Sequence, residues 1–239
     1  YSYLAVFQWI DAQGNLHQSA TSTVANVTLG GGDNSASVTV AGYYLTQKTG
    51  IVISLYRTTN GGNVYYLVTD SVFPTAVDGT VFTIFSDTAS DAQIASALQA
   101  YTYPGNSVLE NNTPPPSMIM QAHNNRLWYV DSEQPWTLFY TKSFQPGTGL
   151  SPSGFTFAQI DQKFGDISAL SEMDDKLIVF KEDGIVILSG DGVNDTGTGA
   201  TLSFPQFVPS DVGCSVLKSV VTTPAGVMFK SANGIYLLD

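Results

Sequence analysis

The sequence has little of the chemistry from which active sites are usually built. It contains one cysteine, two histidines and nine lysines and arginines, and charged residues make up 12% of its 239 positions. A typical soluble domain carries about twice that charged fraction. The single cysteine excludes an internal disulfide, so a hydrophobic core must hold the fold, which a hydrophobic content of 43% allows.

Other absences narrow the classes of function. No run of 18 apolar residues is present, so we expect no membrane insertion. The net charge is −11, and an acidic protein gains nothing from counterion release on DNA, so we expect no sequence-specific binding of nucleic acid. A negative surface past which DNA slides without sticking, as a non-specific cargo, stays open. The motifs HExxH, GxSxG, CxxC and the P-loop are missing. We therefore predict no catalytic residue, no cofactor, no cofactor-binding residue and no metal site, and a protein that is not an enzyme.

The few candidate reactive side chains lack sequence neighbours at a known catalytic spacing. His17 lies in a polar hairpin arm and His123 precedes an asparagine pair, so an isolated surface or turn position is favoured for both. Cys214 is favoured as a packed core thiol over a nucleophile. The glutamates show no pairing typical of a glycosidase: Glu133, Glu172 and Glu182.

The most suggestive polar run is the glycine-rich segment 189–199 (SGDGVNDTGTG). Asp191, Asn194 and Asp195 offer oxygen ligands of the kind that Ca²⁺ takes. Val193 occupies a ligand position of an EF-hand-like spacing, which favours a plain loop. The run also lacks the Thr-Trp end of the Ser-x-Asp-x-Gly-x-Thr-Trp boxes of sialidase propellers, so it gives glycosidase activity little support.

The aromatic residues allow one further binding role. Three tryptophans and twelve tyrosines are present, and together they offer the material for a sugar-stacking platform. Aromatic side chains at strand positions are more often part of a core or an interface, which is the favoured reading here. The tryptophans concerned are Trp9, Trp128 and Trp136.

The first half has the pattern of short β-strands separated by turns. Aromatic and β-branched runs alternate with Gly, Asn and Asp turns at the spacing of a β-sandwich. The Ala-rich segment 90–100 places Ile94 and Leu98 four residues apart after Ser90, a candidate cap, and predicts a short helix. The predicted strands are residues 1–10, 16–20, 35–40, 51–57, 64–68 and 81–85.

The opening hairpin carries a family resemblance. The pattern Tyr1-x-Tyr3-x-x-Val6-x-x-Trp9-x-Asp11-x-x-Gly14, closing on Ser19 and Ser22, is similar to the last hairpin of a fibronectin type III module. The resemblance implies a fibronectin type III-like sandwich in the first domain. Because the hairpin comes first here, the sandwich either begins late in one module or is rearranged.

A proline-rich segment separates the two halves. Residues 111–117 (NNTPPPS) contain three consecutive prolines, which cannot donate ladder hydrogen bonds and keep the chain extended. We place the boundary there and predict domains over residues 1–112 and 113–239. Both ends of the sequence lie in strand-like runs, so we expect it to be a fragment of a longer chain.

The second domain contains a 50-residue repeat. Residues 125–130 (NRLWYV), 175–180 (DKLIVF) and 225–230 (AGVMFK) align, and residues 184–188 match residues 234–238. Each unit has three strands joined by short turns, a small antiparallel sheet that cannot bury both of its faces alone. Two sets of positions keep the 50-residue spacing: Leu127, Leu177 and Val227, and upstream Met120, Leu170 and Val220.

Stacking such sheets around an axis buries their faces, and a period near 50 residues suits a propeller blade. We therefore predict an all-β fold: a β-sandwich over residues 1–112, followed by blades of a β-propeller over residues 113–239. The alternative is three sequential hairpins of an ordinary sandwich. Three blades are too few to close a ring, so we expect the others outside this sequence.

The segment from Pro114 to Asp239 resembles the propeller part of tail proteins of short-tailed bacteriophages, of the nozzle or tail tubular protein B type. The resemblance implies a structural virion protein of the tail, made in the host cytoplasm and forming a homo-oligomeric ring around the channel for DNA ejection. It also implies two kinds of partner, a tail adaptor ring and fibre or spike proteins. The residues that carry it are 123–128 (HNNRLW), 173–181 (MDDKLIVFK), 190–192 (GDG), 211–214 (DVGC) and 229–236 (FKSxxGIY).

Two other classes of function stay open at this point. A secreted or cell-surface adhesin would use the sandwich and propeller to bind carbohydrate. A propeller glycosidase or lyase has the least support, because no paired carboxylates are evident. A monomeric protein whose acidity serves only solubility is the alternative to the ring.

Overall fold

The computed structural model describes residues 1–42, 50–72, 82–103, 105–106, 108–199 and 202–239. The prediction of an all-β fold is confirmed, since every pairing between named strands is antiparallel and the strands form several open sheets. The chain divides into two compact units. Unit 1 is Tyr1–Asn112 with Gln145–Ser151, and unit 2 is Thr113–Phe144 with Pro152–Asp239.

The described residues of unit 1 form two sheets. Sheet A has the order β2-β1-β5-β6, with β3 also pairing with β1, and sheet B is the pair β4-β7. These strands are β1 Ser2–Ile10, β2 Leu16–Gln18, β3 Ala25–Asn26, β4 Ala36–Ala41, β5 Val52–Thr58, β6 Tyr65–Val72 and β7 Phe82–Asp87. They follow the predicted strands closely, except that β3 was not predicted; the predicted strand start at Val81 lies outside the described residues.

The core of unit 1 follows from the two-residue period of its strands. Tyr3 and Ala5 on β1 share one buried cluster with Ile53 and Leu55 on β5, and Phe85 of sheet B belongs to the same cluster. The alternate residues of β1 and β5 point the other way and form a second cluster with Tyr65 and Ala100: Leu4, Val6 and Tyr56. Sheet A is therefore buried on both faces.

A buried ion pair joins the two sheets of unit 1. Arg57 Nη1 on β5 lies 3.0 Å from Asp87 Oδ2 on β7, with both side chains almost completely buried. Tyr3 donates a hydrogen bond of 2.8 Å to the same carboxylate, and Arg57 Nη2 donates one of 3.1 Å to Asp91. Burial and the hydrogen bond with Asp87 raise the pKa of Tyr3 to about 12.

The predicted helix is much shorter than the segment 90–100. Helix α1 covers only Asp91–Ile94, begun by Ser90, whose backbone N–H donates to the Gln93 side chain. Ile94 is 3% exposed, but Leu98 is 74% exposed. The prediction that these two residues form one buried apolar face of a helix is therefore wrong. The chain leaves the helix because the backbone at Leu98 and Ala100 hydrogen-bonds to β6 instead.

The proline segment connects the units without regular structure. Pro114 and Pro116 are exposed, as expected of a connection. Asn111 is buried in unit 1, where its side-chain amide donates a hydrogen bond of 2.8 Å to the Gln18 carbonyl. Asn111, the first residue of the segment that we expected to be an exposed connection, is therefore packed into unit 1.

Three antiparallel sheets are formed by the part of unit 2 that the structure describes. Sheet C has the order β11-β10-β9-β8, sheet D the order β12-β13-β14-β15, and sheet E the order β16-β17-β18. The strands of sheet C are β8 Met120–His123, β9 Arg126–Val130, β10 Thr137–Thr141 and β11 Pro152–Gln159. Those of sheets D and E are β12 Ile167–Met173, β13 Lys176–Lys181, β14 Ile185–Ser189, β15 Gln206–Phe207, β16 Val221–Thr223, β17 Gly226–Ser231 and β18 Gly234–Leu238.

The first two strands of each sheet pair in the same register at intervals of 50 residues. Leu127 on β9 pairs with Ala122 on β8, and Leu177 on β13 pairs with Glu172 on β12. Val227 on β17 pairs in the same way with Thr222 on β16. The sequence repeat is therefore a repeat of backbone pairing, with a further strand, β11 or β15, completing sheets C and D.

The three sheets stack in chain order through apolar faces. One cluster joins Trp128 and Tyr140 of sheet C to Leu177 and Val179 of sheet D. Another joins the opposite face of sheet D to sheet E, and it contains Ile178, Phe180, Cys214, Val227 and Phe229. Sheet D therefore has both faces buried, as the central layer of the stack.

The turns after β8 and β12 have the geometry that their sequence favours. Both central residues of each two-residue turn have a positive φ: 47° and 59° at Asn124 and Asn125, and 50° and 57° at Asp174 and Asp175. Such type I′ turns favour Asn, Asp and Gly and match the twist of the strands. The third turn contains Pro224, whose ring excludes a positive φ, so it must be of another type.

Candidate functional site

An open cleft of about 780 Å³ lies in unit 2 beside the turns that end β12 and β16. Neighbouring sheets approach each other here through their first strands, β8, β12 and β16. Ser171 Oγ and Thr222 Oγ1, on β12 and β16, are 3.3 Å apart. The cleft is acidic, because its charged lining residues are all carboxylates: Glu172, Asp174, Asp175 and Asp239.

Beside this cleft, His123 and Glu172 form a contact that sequence reasoning missed. His123 Nδ1 on β8 lies 3.4 Å from Glu172 Oε2 on β12, and the imidazole is completely buried. A general acid or base must reach the proton it transfers, which a completely buried ring does not do. The signal was in the repeat, because His123 and Met173 hold equivalent positions on the first strands of two consecutive units, and Glu172 directly precedes Met173.

His17 is also paired, contrary to our expectation of an isolated histidine. Its Nε2 lies 3.0 Å from Asp11 Oδ2, and its ring stacks on Trp9 with centroids 5.2 Å apart. The hydrogen bond with His17, followed by that from the Asn15 backbone, holds the pKa of Asp11 well below its usual range. Because Asp11 also accepts from Gln13, the pair serves to fix the β1–β2 turn.

The carboxylates and amide of the glycine-rich loop are engaged in hydrogen bonds within unit 2. Asp191 accepts a hydrogen bond of 2.8 Å from the Asn124 side chain, and Asp195 accepts one of 3.0 Å from the Ser143 backbone. Asn194 accepts from the backbone of Thr196 within the loop. The loop therefore anchors itself to sheet C. In the ranges that the structure describes, no group of three or more His, Cys, Asp and Glu side chains is placed to hold a metal ion.

Two glycines, one in the segment 190–192 (GDG) and one in the segment 211–214 (DVGC), lie where a side chain does not fit. Gly192 has a φ of 77°, and a Cβ there would overlap the ring of Tyr140. A Cβ at Gly213 would overlap the backbone carbonyl oxygens of Lys181 and Glu182. This close approach allows the Cys214 N–H to donate a hydrogen bond of 2.9 Å to the Lys181 carbonyl. The two segments therefore serve packing.

The remaining candidates lie in cores or far from one another in the chain. Cys214 is completely buried and packs against sheets D and E, as predicted for a core thiol. Trp128 is completely buried and offers no face to a sugar, whereas Trp9 and Trp136 are half-buried. Lys181 is buried without a carboxylate partner at bonding distance among the described residues, and burial lowers its pKa against the opposing effect of Asp161, Asp166 and Glu182.

Comparison with known proteins adds no relative to these observations. Neither the protein-family models nor the curated protein sequences match the chain. No helix in the described ranges has the length and apolarity needed to span a bilayer. The chain is thus defined by its own geometry as an all-β protein of two units, the second built from three stacked antiparallel sheets.

Proposed function

We propose that this protein is a structural component of a short-tailed bacteriophage tail, a nozzle or hub ring that forms part of the DNA exit channel. In this proposal, unit 1 is a fibronectin type III-like sandwich and unit 2 is a set of propeller blades. The observation that carries it is the identical register in which the first two strands of three consecutive sheets pair, at 50-residue intervals.

The propeller proposal is supported by how the sheets meet. Sheets C, D and E stack in chain order, and their first strands approach one another most closely. Sheets that radiate from an axis have this relationship, since the strands nearest the axis are nearest one another. The first strands β8, β12 and β16 are then the innermost strands of three blades.

The sandwich proposal for unit 1 is supported by the core that sheets A and B share. Tyr3, Ile53 and Leu55 of sheet A meet Ala36 and Phe85 of sheet B in one cluster. The hairpin that resembles fibronectin type III modules is tied back by two serines, since Ser19 accepts from the Phe7 N–H and Ser22 from the Ala5 N–H. Two antiparallel sheets over a common apolar core are the layout of a sandwich.

A channel role is supported by charge. The protein carries a net charge of −11, and the cleft beside the innermost strands has only carboxylates as charged groups. A negative wall repels the phosphate backbone, so DNA passes without lodging. A non-enzymatic role fits this arrangement, since the His123 ring is buried and Asp11 and Trp9 hold the His17 ring.

Mass photometry of the full protein, alone and mixed with its tail adaptor ring, tests this proposal. We expect particles with the mass of a closed ring of identical subunits, bound to the adaptor. A strict monomer that never joins the adaptor ring would contradict the proposed function, whatever the fold of its units.

A further inference from the structure

Sheet E presents an apolar outer face on the side away from sheet D. Met228 on β17 pairs with Val221 on β16 and with Leu237 on β18. Ile235 lies two residues before Leu237 on β18, so its side chain is on the same face. These four side chains are 56% (Val221), 42% (Met228), 73% (Ile235) and 47% (Leu237) exposed. Neighbouring apolar side chains left together in water mark an interaction surface.

The equivalent face of sheet D shows what covers such a surface. Ile178 and Ile185 of sheet D lie 50 residues before Met228 and Ile235 of sheet E. They hold the equivalent positions in the pairing of their strands. Ile178 is completely buried and Ile185 is 3% exposed, because both pack against Val227 and Phe229 of sheet E. The same positions are thus buried where a following sheet is present and exposed on sheet E.

We infer that the outer face of sheet E docks a further antiparallel sheet of the same 50-residue pattern, which presents side chains like those of Val227 and Phe229. This inference rests on the stacking proposed for unit 2 and names the surface that extends it. Lys230 pairs with Ile235 and so adds a positive charge to the same face.

Extension of the full chain by one more repeat tests the inference directly. A copy of residues 190–239 is attached after Asp239, so that the 50-residue register continues without interruption. The copy carries Met228→Leu, so that the peptide with the original Met228 has a mass of its own. The readout is oxidation of Met228 by peroxide, followed by mass spectrometry of the peptides. Met118 and Met120 are 83% and 58% exposed and serve as internal references in the same molecule. The matched control is the extended chain with Val227→Asp and Phe229→Asp made in the added copy only.

We expect the original Met228 to oxidise about tenfold more slowly in the extended chain, because oxidation follows exposure. We also expect unit 2 to melt about 4 °C or more higher, while Met118, Met120 and the control variant keep the original behaviour. Unchanged oxidation of Met228, or equal protection in the control, would overturn the inference.

A second result would also overturn it. If the unextended chain is a dimer in solution and Met228→Asp makes it monomeric, the occupant of this face is a second copy of the chain instead of a further repeat. Either failure is distinct from failure of the proposed function, which depends on ring assembly of the full protein with its adaptor.

Discussion

Leu177 and Val227, fifty residues apart, occupy the same place in two consecutive sheets of unit 2. Leu177 pairs with Glu172 and Leu188, and Val227 pairs with Thr222 and Leu238. Each side chain points toward the preceding sheet, where it is buried. The repeat in the sequence is therefore a repeat of one packing position, which makes the cost of its removal predictable.

Truncation of this position should destabilise unit 2. Leu177→Ala removes a completely buried side chain from the layer between sheets C and D, and we expect a loss of about 2–5 kcal/mol in the free energy of unfolding. Lys176→Ala, one residue away and exposed, is the control and should change it by less than about 0.5 kcal/mol. Urea denaturation measures both variants, and equal effects would refute the assigned face of β13.

The buried ion pair of unit 1 should be costly to break from one side. Asp87→Ala leaves the buried Arg57 guanidinium with only the partly exposed Asp91 as an ionic partner, and we expect a loss of about 3–5 kcal/mol in stability. The double variant Arg57→Met with Asp87→Leu should lose much less, because no unpaired charge stays buried. Asp70→Ala, an exposed acid on β6, is the control. In thermal melts, the loss in melting temperature should be largest for Asp87→Ala, smaller for the double variant and smallest for the control. Equal losses in the single and double variants would contradict the account.

Buried tyrosines should make the protein sensitive to high pH. Burial raises the pKa of Tyr129 to about 12, against about 10 in an unfolded chain. Below pH 10 both states keep the proton and stability is complete; as pH rises from 10 through 12 the unfolded state ionises first, so stability is lost. Tyr129→Phe should remove the share of this loss that Tyr129 causes, as denaturation between pH 8 and 12.5 would show.

The contrast with Tyr3→Phe gives this experiment its control. The Tyr129 hydroxyl has no hydrogen-bond partner among the described residues, so at pH 7 Tyr129→Phe should be neutral or stabilising. The Tyr3 hydroxyl donates to Asp87, and Tyr3→Phe should cost about 1.5–3 kcal/mol. A large loss at pH 7 from Tyr129→Phe would show that its hydroxyl is bonded.

The turn between β12 and β13 should respond to glycine and to a β-branched residue in opposite directions. Asp175 has a φ of 57°, which glycine adopts without strain and valine does not. We expect Asp175→Gly to stabilise unit 2 by about 0.5 kcal/mol and Asp175→Val to destabilise it by about 1–2 kcal/mol. Calorimetry of both variants checks the pair, and a stabilising Asp175→Val would exclude the type I′ turn.

Local patterns in the sequence were sufficient for most strands and for the repeat. Aromatic and β-branched runs between turn residues located β1 and β5, and the 50-residue repeat located β13. The two-residue strands β3 and β15 are too short to form such a run and were not located. The predicted helix was too long, because the backbone at Leu98 and Ala100 forms hydrogen bonds with β6. Helix propensity, which depends on the local sequence, does not account for such tertiary contacts.

The polar contacts were harder to predict, since they depend on which strands become neighbours. His123 and Glu172 lie on different sheets, and Arg57 and Asp87 lie on strands that pair with other partners. Their contacts follow from the stacking of sheets, which a single sequence indicates only where a repeat reveals it. His17 and Asp11, six residues apart across one turn, were within reach of sequence reasoning as a turn-fixing pair.

The central claim, a ring around a channel with unit 2 as radiating sheets, is tested most directly by single-particle electron microscopy of the full protein. We predict rotationally symmetric particles with an open channel, in which β8, β12 and β16 lie nearest the axis of their propeller and the channel wall is acidic. Monomeric particles without a channel, or a channel wall rich in lysine and arginine, would contradict the account.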